Sequence, residues 1–185
     1  MKLYRVCYRR AHAAPREAGG LLYIPRQGAG RIDSPDARYA VLYLGKSPAG
    51  ACAEVFYRGR YRVHWTRDML RALPTGDCRV LAWYDITDAA AICDLNDPRE
   101  MLRQRLTPSR IMTRDRTVTQ AWASAIFEQG AFSGIQWWSY CDAKWMTLGI
   151  WDQTTIGAYG FEELTLEHPA IKEAAETMEV RINPA

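Results

Sequence analysis

Between Gln27 and Phe56 the sequence places an arginine behind glycines (Gly28-Ala29-Gly30-Arg31), a tyrosine inside an apolar run (Tyr43) and a glutamate on a capped helix (Glu54). An arginine offered from a glycine-rich loop can grip a phosphate with two parallel hydrogen bonds, and the glycines let backbone N–H groups approach the same anion. An aromatic ring supplies a pocket wall, and a carboxylate can stabilise positive charge developing on a sugar. Together the three suit a nucleotide whose ribose is attacked. Each also has a plainer assignment: a loop arginine, a core aromatic, a solvated carboxylate.

Other chemistries find less support. The glycine segment lacks the third glycine of a dinucleotide fingerprint and is followed by Ser34-Pro35-Asp36 where a helix should open, and no Gly-Lys-Ser/Thr of a P-loop follows it. His12, His64 and His168 are scattered, with no G-x-S-x-G and no H-E-x-x-H, which argues against serine-hydrolase and metalloprotease mechanisms. Glu162 and Glu163 are adjacent and point to different sides of any regular element, as on a solvated surface. Ser139, after Gln136-Trp137-Trp138, reads on residue type alone as a serine ending a strand near a turn.

The elements that must position these residues are legible in outline. Leu3, Val6 and Tyr8 open the chain as a strand, and Ala11 to Gly20 reads as a surface loop. Tyr39 to Leu44 is an almost continuous apolar run, expected as a strand buried on both faces. Ser47-Pro48 caps a helix whose apolar face is Ala51, Cys52, Val55 and Phe56. Glu54 lies roughly 130° from the centre of that face, the place of a solvated carboxylate unless a pocket approaches the helix from its side. A second helix is expected from Thr66 to Leu73 and a strand from Arg79 to Ile86. Asp97-Pro98 starts a short helix through Arg105 that Pro108 stops, and the chain to Arg116 reads as an irregular loop. Thr117 to Gln120 has capping-box form before a helix carrying Val118, Ala121, Trp122, Ala125 and Ile126. Gly134–Tyr140 and Trp145–Trp151 read as a hairpin around Cys141 to Lys144, followed by a helix from Pro169 to Met178 and a strand from Glu179 to Ile182. The pattern is mixed α/β without the regular alternation of a doubly wound sheet.

At 185 residues and 48% hydrophobic content, the chain fits one domain able to bury a core without metal or disulfide staples. The five cysteines are odd in number and widely spaced, with no C-x-x-C pair, so structural zinc is not expected. No apolar run approaches the roughly 18 residues of a membrane span, and the N-terminus has no long apolar segment. A reduced, cytoplasmic setting follows as the default. A net charge of +3 is too small to argue for nucleic-acid binding, and the scarcity of lysine among the 24 basic residues fits genomic base composition better than function.

In this order the residues resemble the RES-domain family, named for the arginine, glutamate and serine of its signature, over nearly the whole chain. Gly30-Arg31-Ile32-Asp33 is similar to the family's G-G-R-W-N segment. Tyr43 in Val41 to Leu44, and the small-residue run Ala49 to Ala53 before Glu54, are similar to its strand-then-helix pattern; Gly134-Ile135 through Ser139 is similar to its G-I-x-x-x-S. Ile32 and Asp33 stand where the family has Trp and Asn, and Ala29 where it has Gly; a negative Asp33 pointing inward would oppose a phosphate.

The resemblance implies a single domain over residues 1–185 with a mixed α/β fold like that of ADP-ribosyltransferases. It implies the toxin of a type II toxin–antitoxin system that degrades NAD+ by cleaving the nicotinamide–ribose bond, as glycohydrolase or phosphorylase. NAD+ would be the substrate, with no cofactor and no metal. Arg31, with Gly30 in its loop, would bind the phosphates, Tyr43 would shape the nicotinamide-ribose pocket, Glu54 would be the catalytic carboxylate, and Ser139 would orient one of them. The implied partner is an Xre-like helix-turn-helix antitoxin, in a homo- or hetero-oligomer. The acceptor, water or phosphate or a macromolecule, is open. An ADP-ribosyltransferase acting on a macromolecule is the near rival; a catalytically silent partner-binding module is the distant one, and Asp33 with the missing tryptophan would favour it.

Overall fold

The computed structural model describes residues 1–25, 27–57 and 59–183. Its strands are β1 (Lys2–Arg9), β2 (Leu42–Gly45), β3 (His64–Trp65), β4 (Cys78–Ile86), β5 (Ile92–Asp94), β6 (Gly134–Trp138), β7 (Met146–Ile150), β8 (Ile156–Glu163) and β9 (Arg181–Ile182). Its helices are α1 (Pro48–Phe56), α2 (Pro98–Arg103), α3 (Pro108–Met112), α4 (Arg116–Glu128) and α5 (Pro169–Thr177). Seven strands form one sheet in the order β5-β6-β7-β2-β1-β4-β8, antiparallel throughout except for the parallel β5–β6 pair; β3 and β9 pair in parallel apart from it.

Alternation along the central strands decides which side chains are covered and which are offered to a site. Leu42 and Leu44 of β2, with Leu3, Val80, Ala82, Tyr84, Leu148 and Ile150, form a core on one face that Leu21 of the long N-terminal loop helps to close. The other face carries two separate cores. Beneath α1 and α5, Val6 and Leu81 meet Cys52, Phe56, Ile171 and Ala174; beneath α3 and α4, Ile135 and Trp137 meet Ile111, Trp122 and Ile126. Tyr43 points to this second face, opposite Leu42 and Leu44, at the interval between its two cores.

Several expected elements change on folding. The strand expected from Tyr39 is confined to Leu42–Gly45; Tyr39 and Val41 are buried without sheet pairing, and the Val41 N–H donates to Gln27 Oε1 at 2.9 Å. The helix expected at Thr66–Leu73 is a single 3-10 turn, Arg67–Leu70, too close to Pro74 to extend, with Met69 buried as its anchor. Pro108 begins α3 rather than stopping a helix, because proline at the first helical position lacks an N–H that would be unpaired anyway. The cap of α4 is Asp115, whose Oδ1 accepts from the Thr117 N–H at 2.9 Å and its hydroxyl at 2.7 Å, so the helix is capped two residues before the expected Thr117 capping box. Strands β5 and β8 were not expected: β5 has three residues, and β8 is a glycine-containing edge strand exposed along most of its length. The final strand shortens to β9.

Candidate active site

Glu54 is set by packing on the opposite side of its helix. Ser47 Oγ accepts from the Gly50 N–H at 3.0 Å, Pro48 occupies the first turn, and Ala49, Ala51 and Ala53 are all buried, so α1 lies close over β2. With Cys52 and Phe56 locked against α5, Glu54 is left half-buried and facing the sheet's open interval. Its off-core position thus places it in a cleft.

Two contiguous cavities meet there. The smaller, about 190 Å3, is mainly apolar, bordered by Tyr4, Val6, Leu44, Ala51 and Val55, with Arg5 also on its wall. The larger, about 370 Å3, is bordered by Gly30, Arg31, Arg116, Trp137 and Tyr140. Tyr43, Glu54 and Thr147 border both.

Ser139 follows β6 directly and is 4% exposed. Its N–H donates to Trp145 O at 2.7 Å across the turn, and its Oγ accepts from the Cys141 N–H at 3.0 Å while donating to Glu54 Oε1 at 2.5 Å. The hydroxyl is therefore spoken for on both sides and holds the carboxylate of another element in one orientation.

Asp33 is the organising residue that sequence reasoning treated as an intrusion. It is 2% exposed; its Oδ2 accepts from the Gly28 and Gly30 N–H groups, both at 2.7 Å, and its Oδ1 accepts from the Tyr43 hydroxyl at 2.6 Å. The Tyr43 oxygen in turn accepts from the Ile32 N–H at 3.0 Å. Gly30 is required here, since a Cβ on it would stand 2.3 Å from that hydroxyl. The expectation that these glycine amides would cradle an anion is corrected: they are spent on Asp33. Burial, and then the neighbouring Asp33 carboxylate, push the Tyr43 phenol well above its ordinary range, so it remains a donor at neutral pH. Gln120 closes the loop from α4, donating to Gly28 O at 3.0 Å and Gly30 O at 2.9 Å.

Arg31 is buried at 6% exposure, its Nη1 donating to Ile111 O at 2.5 Å and Thr113 O at 3.1 Å. The Tyr140 ring stacks on its guanidinium at 4.4 Å, and the Tyr140 hydroxyl donates to Met112 O. Ile32 is fully buried in the core beneath α4 and Asp33 is turned back to its own loop, so of the three departures from the family pattern only Ala29 borders the cavity. The structure brings Arg31, Tyr43, Glu54 and Ser139 together, joined by Asp33, Gln120, Arg116, Tyr140 and Trp137, which sequence reading did not assign. An aspartate three residues after a glycine was the available signal, since such side chains bond back to nearby amides. Among the described residues, no three of His, Cys, Asp or Glu come together in a way that could hold a metal ion, and no helix is long and apolar enough to cross a membrane.

A seven-stranded mixed sheet with flanking helices and a cleft on one face defines a mixed α/β domain. The family model for the RES domain matches residues 2–163, and the chain belongs to that family. Among solved structures, a chain of the M. tuberculosis MbcT-MbcA toxin-antitoxin complex is similar in fold, with a TM-score of 0.55 and 16% sequence identity over 97% of this chain and 88% of that one. No curated protein matches the chain.

Proposed function

We propose that this protein is the toxin of a toxin–antitoxin pair and that it cleaves the nicotinamide–ribose bond of NAD+. The observation that carries the reading is the Glu54 carboxylate, fixed by the Ser139 hydroxyl at 2.5 Å, at the junction of a mainly apolar cavity and a more polar one bordered by Arg31 and Arg116. Family membership and the fold shared with a toxin–antitoxin complex support it.

In this reading the smaller cavity receives the flat nicotinamide ring, the ribose lies against Glu54 and Tyr43, and the phosphates reach toward Arg31. The C–N bond breaks with its electron pair going to nicotinamide, which leaves neutral and needs no general acid. The positive charge left on the ribose is oxocarbenium-like, and the adjacent carboxylate stabilises it. Ser139 contributes by denying Glu54 other rotamers, so no reorganisation is needed as charge develops. The acceptor then adds to the sugar carbon. The partner would be an antitoxin protein of the Xre-like helix-turn-helix kind.

Incubation of purified protein with NAD+, with and without phosphate, tests the reading by product identity. ADP-ribose indicates hydrolysis, ADP-ribose 1-phosphate phosphorolysis, and label on macromolecules a transferase. Glu54→Gln is expected to lower the rate by about 10²–10³-fold, the size expected for loss of a preorganised charge. Intact NAD+ after long incubation with the wild type sinks the enzyme reading.

A further inference from the structure

Two arginines border the larger cavity, and each has a guanidinium nitrogen that the described residues leave without an acceptor. Arg31 spends Nη1 on two backbone carbonyls, but its buried Nη2 meets no acceptor among the described residues. Arg116, the first residue of α4, borders the same cavity, and its buried Nη1 likewise meets none. Buried donors are nearly always paired, because an unpaired one forfeits its hydration. Two such donors on one cavity wall point to acceptor oxygens that arrive with what binds there.

We infer that Arg31 and Arg116 together clamp a diphosphate bridge, making Arg116 a ligand-binding residue and the cavity selective for dinucleotides over mononucleotides. The identity of the dinucleotide rests on the function proposed above; the anion class does not. The charge balance agrees. Glu54 is the one carboxylate bordering this cavity among the described residues, and the Asp33 oxygens are turned back to Gly28, Gly30 and Tyr43. The geometry is also held: Tyr140 stacks on Arg31 at 4.4 Å and on Arg114 at 5.7 Å, and its hydroxyl is tied to Met112 O. Arg31 thereby hangs from the same 111–116 segment that carries Arg116. One phosphate can satisfy one guanidinium, and two linked phosphates can satisfy both without bringing more negative charge near Glu54 than the pair offsets.

Calorimetric titration of the whole chain with ADP-ribose, AMP and adenosine tests this. The wild type is expected to bind ADP-ribose at least tenfold more tightly than AMP. Arg116→Ala is expected to weaken ADP-ribose by roughly tenfold to a hundredfold and to remove most of its margin over AMP. Arg116→Lys should recover part of the loss, supplying the charge without the fork. The cap of α4 comes from Asp115, so thermal unfolding should be unchanged and would expose a merely structural role. An unchanged ADP-ribose affinity in Arg116→Ala, an equal loss for adenosine or AMP, or no ADP-ribose binding by the wild type overturns the inference. Binding needs no turnover, so the two readings separate. A protein that binds ADP-ribose through Arg116 but leaves NAD+ intact keeps the clamp and loses the proposed function. NAD+ consumption with a KM indifferent to Arg116→Ala does the reverse.

Discussion

Asp33 carries more of the site's geometry than any residue that would touch a substrate. One carboxylate accepts from two loop amides and from the Tyr43 hydroxyl, fixing the arginine loop to the aromatic wall. Asp33→Ala strands three donors in a buried place and is expected to lower the unfolding free energy by on the order of 2–4 kcal/mol. On the proposed function, the KM for NAD+ should rise as Arg31 loosens, with Asp33→Asn losing less on both counts. Wild-type chemical denaturation in the alanine variant would remove the lock from the account. Arg31, Tyr43 and Glu54 stood out by type, each with a plainer assignment beside it, and Ser139 was singled out only through the family resemblance. Asp33 could not be placed: whether a short carboxylate faces a ligand or turns back to its own loop depends on dihedral angles that composition does not specify.

Long periodic elements and capped helices were the readable ones, as α1, α4 and the β6–β7 hairpin illustrate. Their signals are local: Ser47-Pro48 for α1, apolar spacing around Trp122 for α4, and flanking aromatic runs for the hairpin. Strands β5 and β8 were not readable, since a three-residue strand and an exposed, glycine-bearing edge owe their form to a neighbour's hydrogen bonds rather than to their own pattern. Between elements, Gly149 of β7 shows how closely the arginine loop sits on the sheet. A Cβ there would lie 2.3 Å from Ile32 Cδ1 and 2.8 Å from Val41 Cγ1, both buried. Gly149→Ala is therefore expected to destabilise the protein by about 1–3 kcal/mol through overpacking. Calorimetric unfolding measures this, and a midpoint equal to wild type would mean the loop shifts freely.

Over the whole molecule, acid stability should follow carboxylates engaged in the folded state. Arg10, by hydrogen bonds at 2.7 and 3.2 Å and by its charge, holds the Asp77 carboxyl below its usual range and ties the end of β1 to the start of β4. Ser34 and Arg38 do the same for Asp36, and Thr117 for Asp115. A depressed folded value stabilises at any pH above the unfolded one and is lost as pH falls through the folded one. The unfolding midpoint is thus expected to be level from neutral pH to about pH 5 and to fall below about pH 4. Asp77→Asn should make that acid slope shallower, and an unaltered slope would exclude the pair as a contributor.

The bond between Glu54 and Ser139 spans 85 positions, and β2 finds its neighbour β7 only after a similar stretch of chain. A ribosome extending the chain at roughly 5–20 residues per second exposes the carboxylate several seconds before the serine that orients it. The nascent chain therefore holds no assembled site while its first half is being made. On the proposed function, competence arrives late and all at once, when the β6–β7 hairpin slots beside β2, and an antitoxin that restrains this protein has until then to be ready.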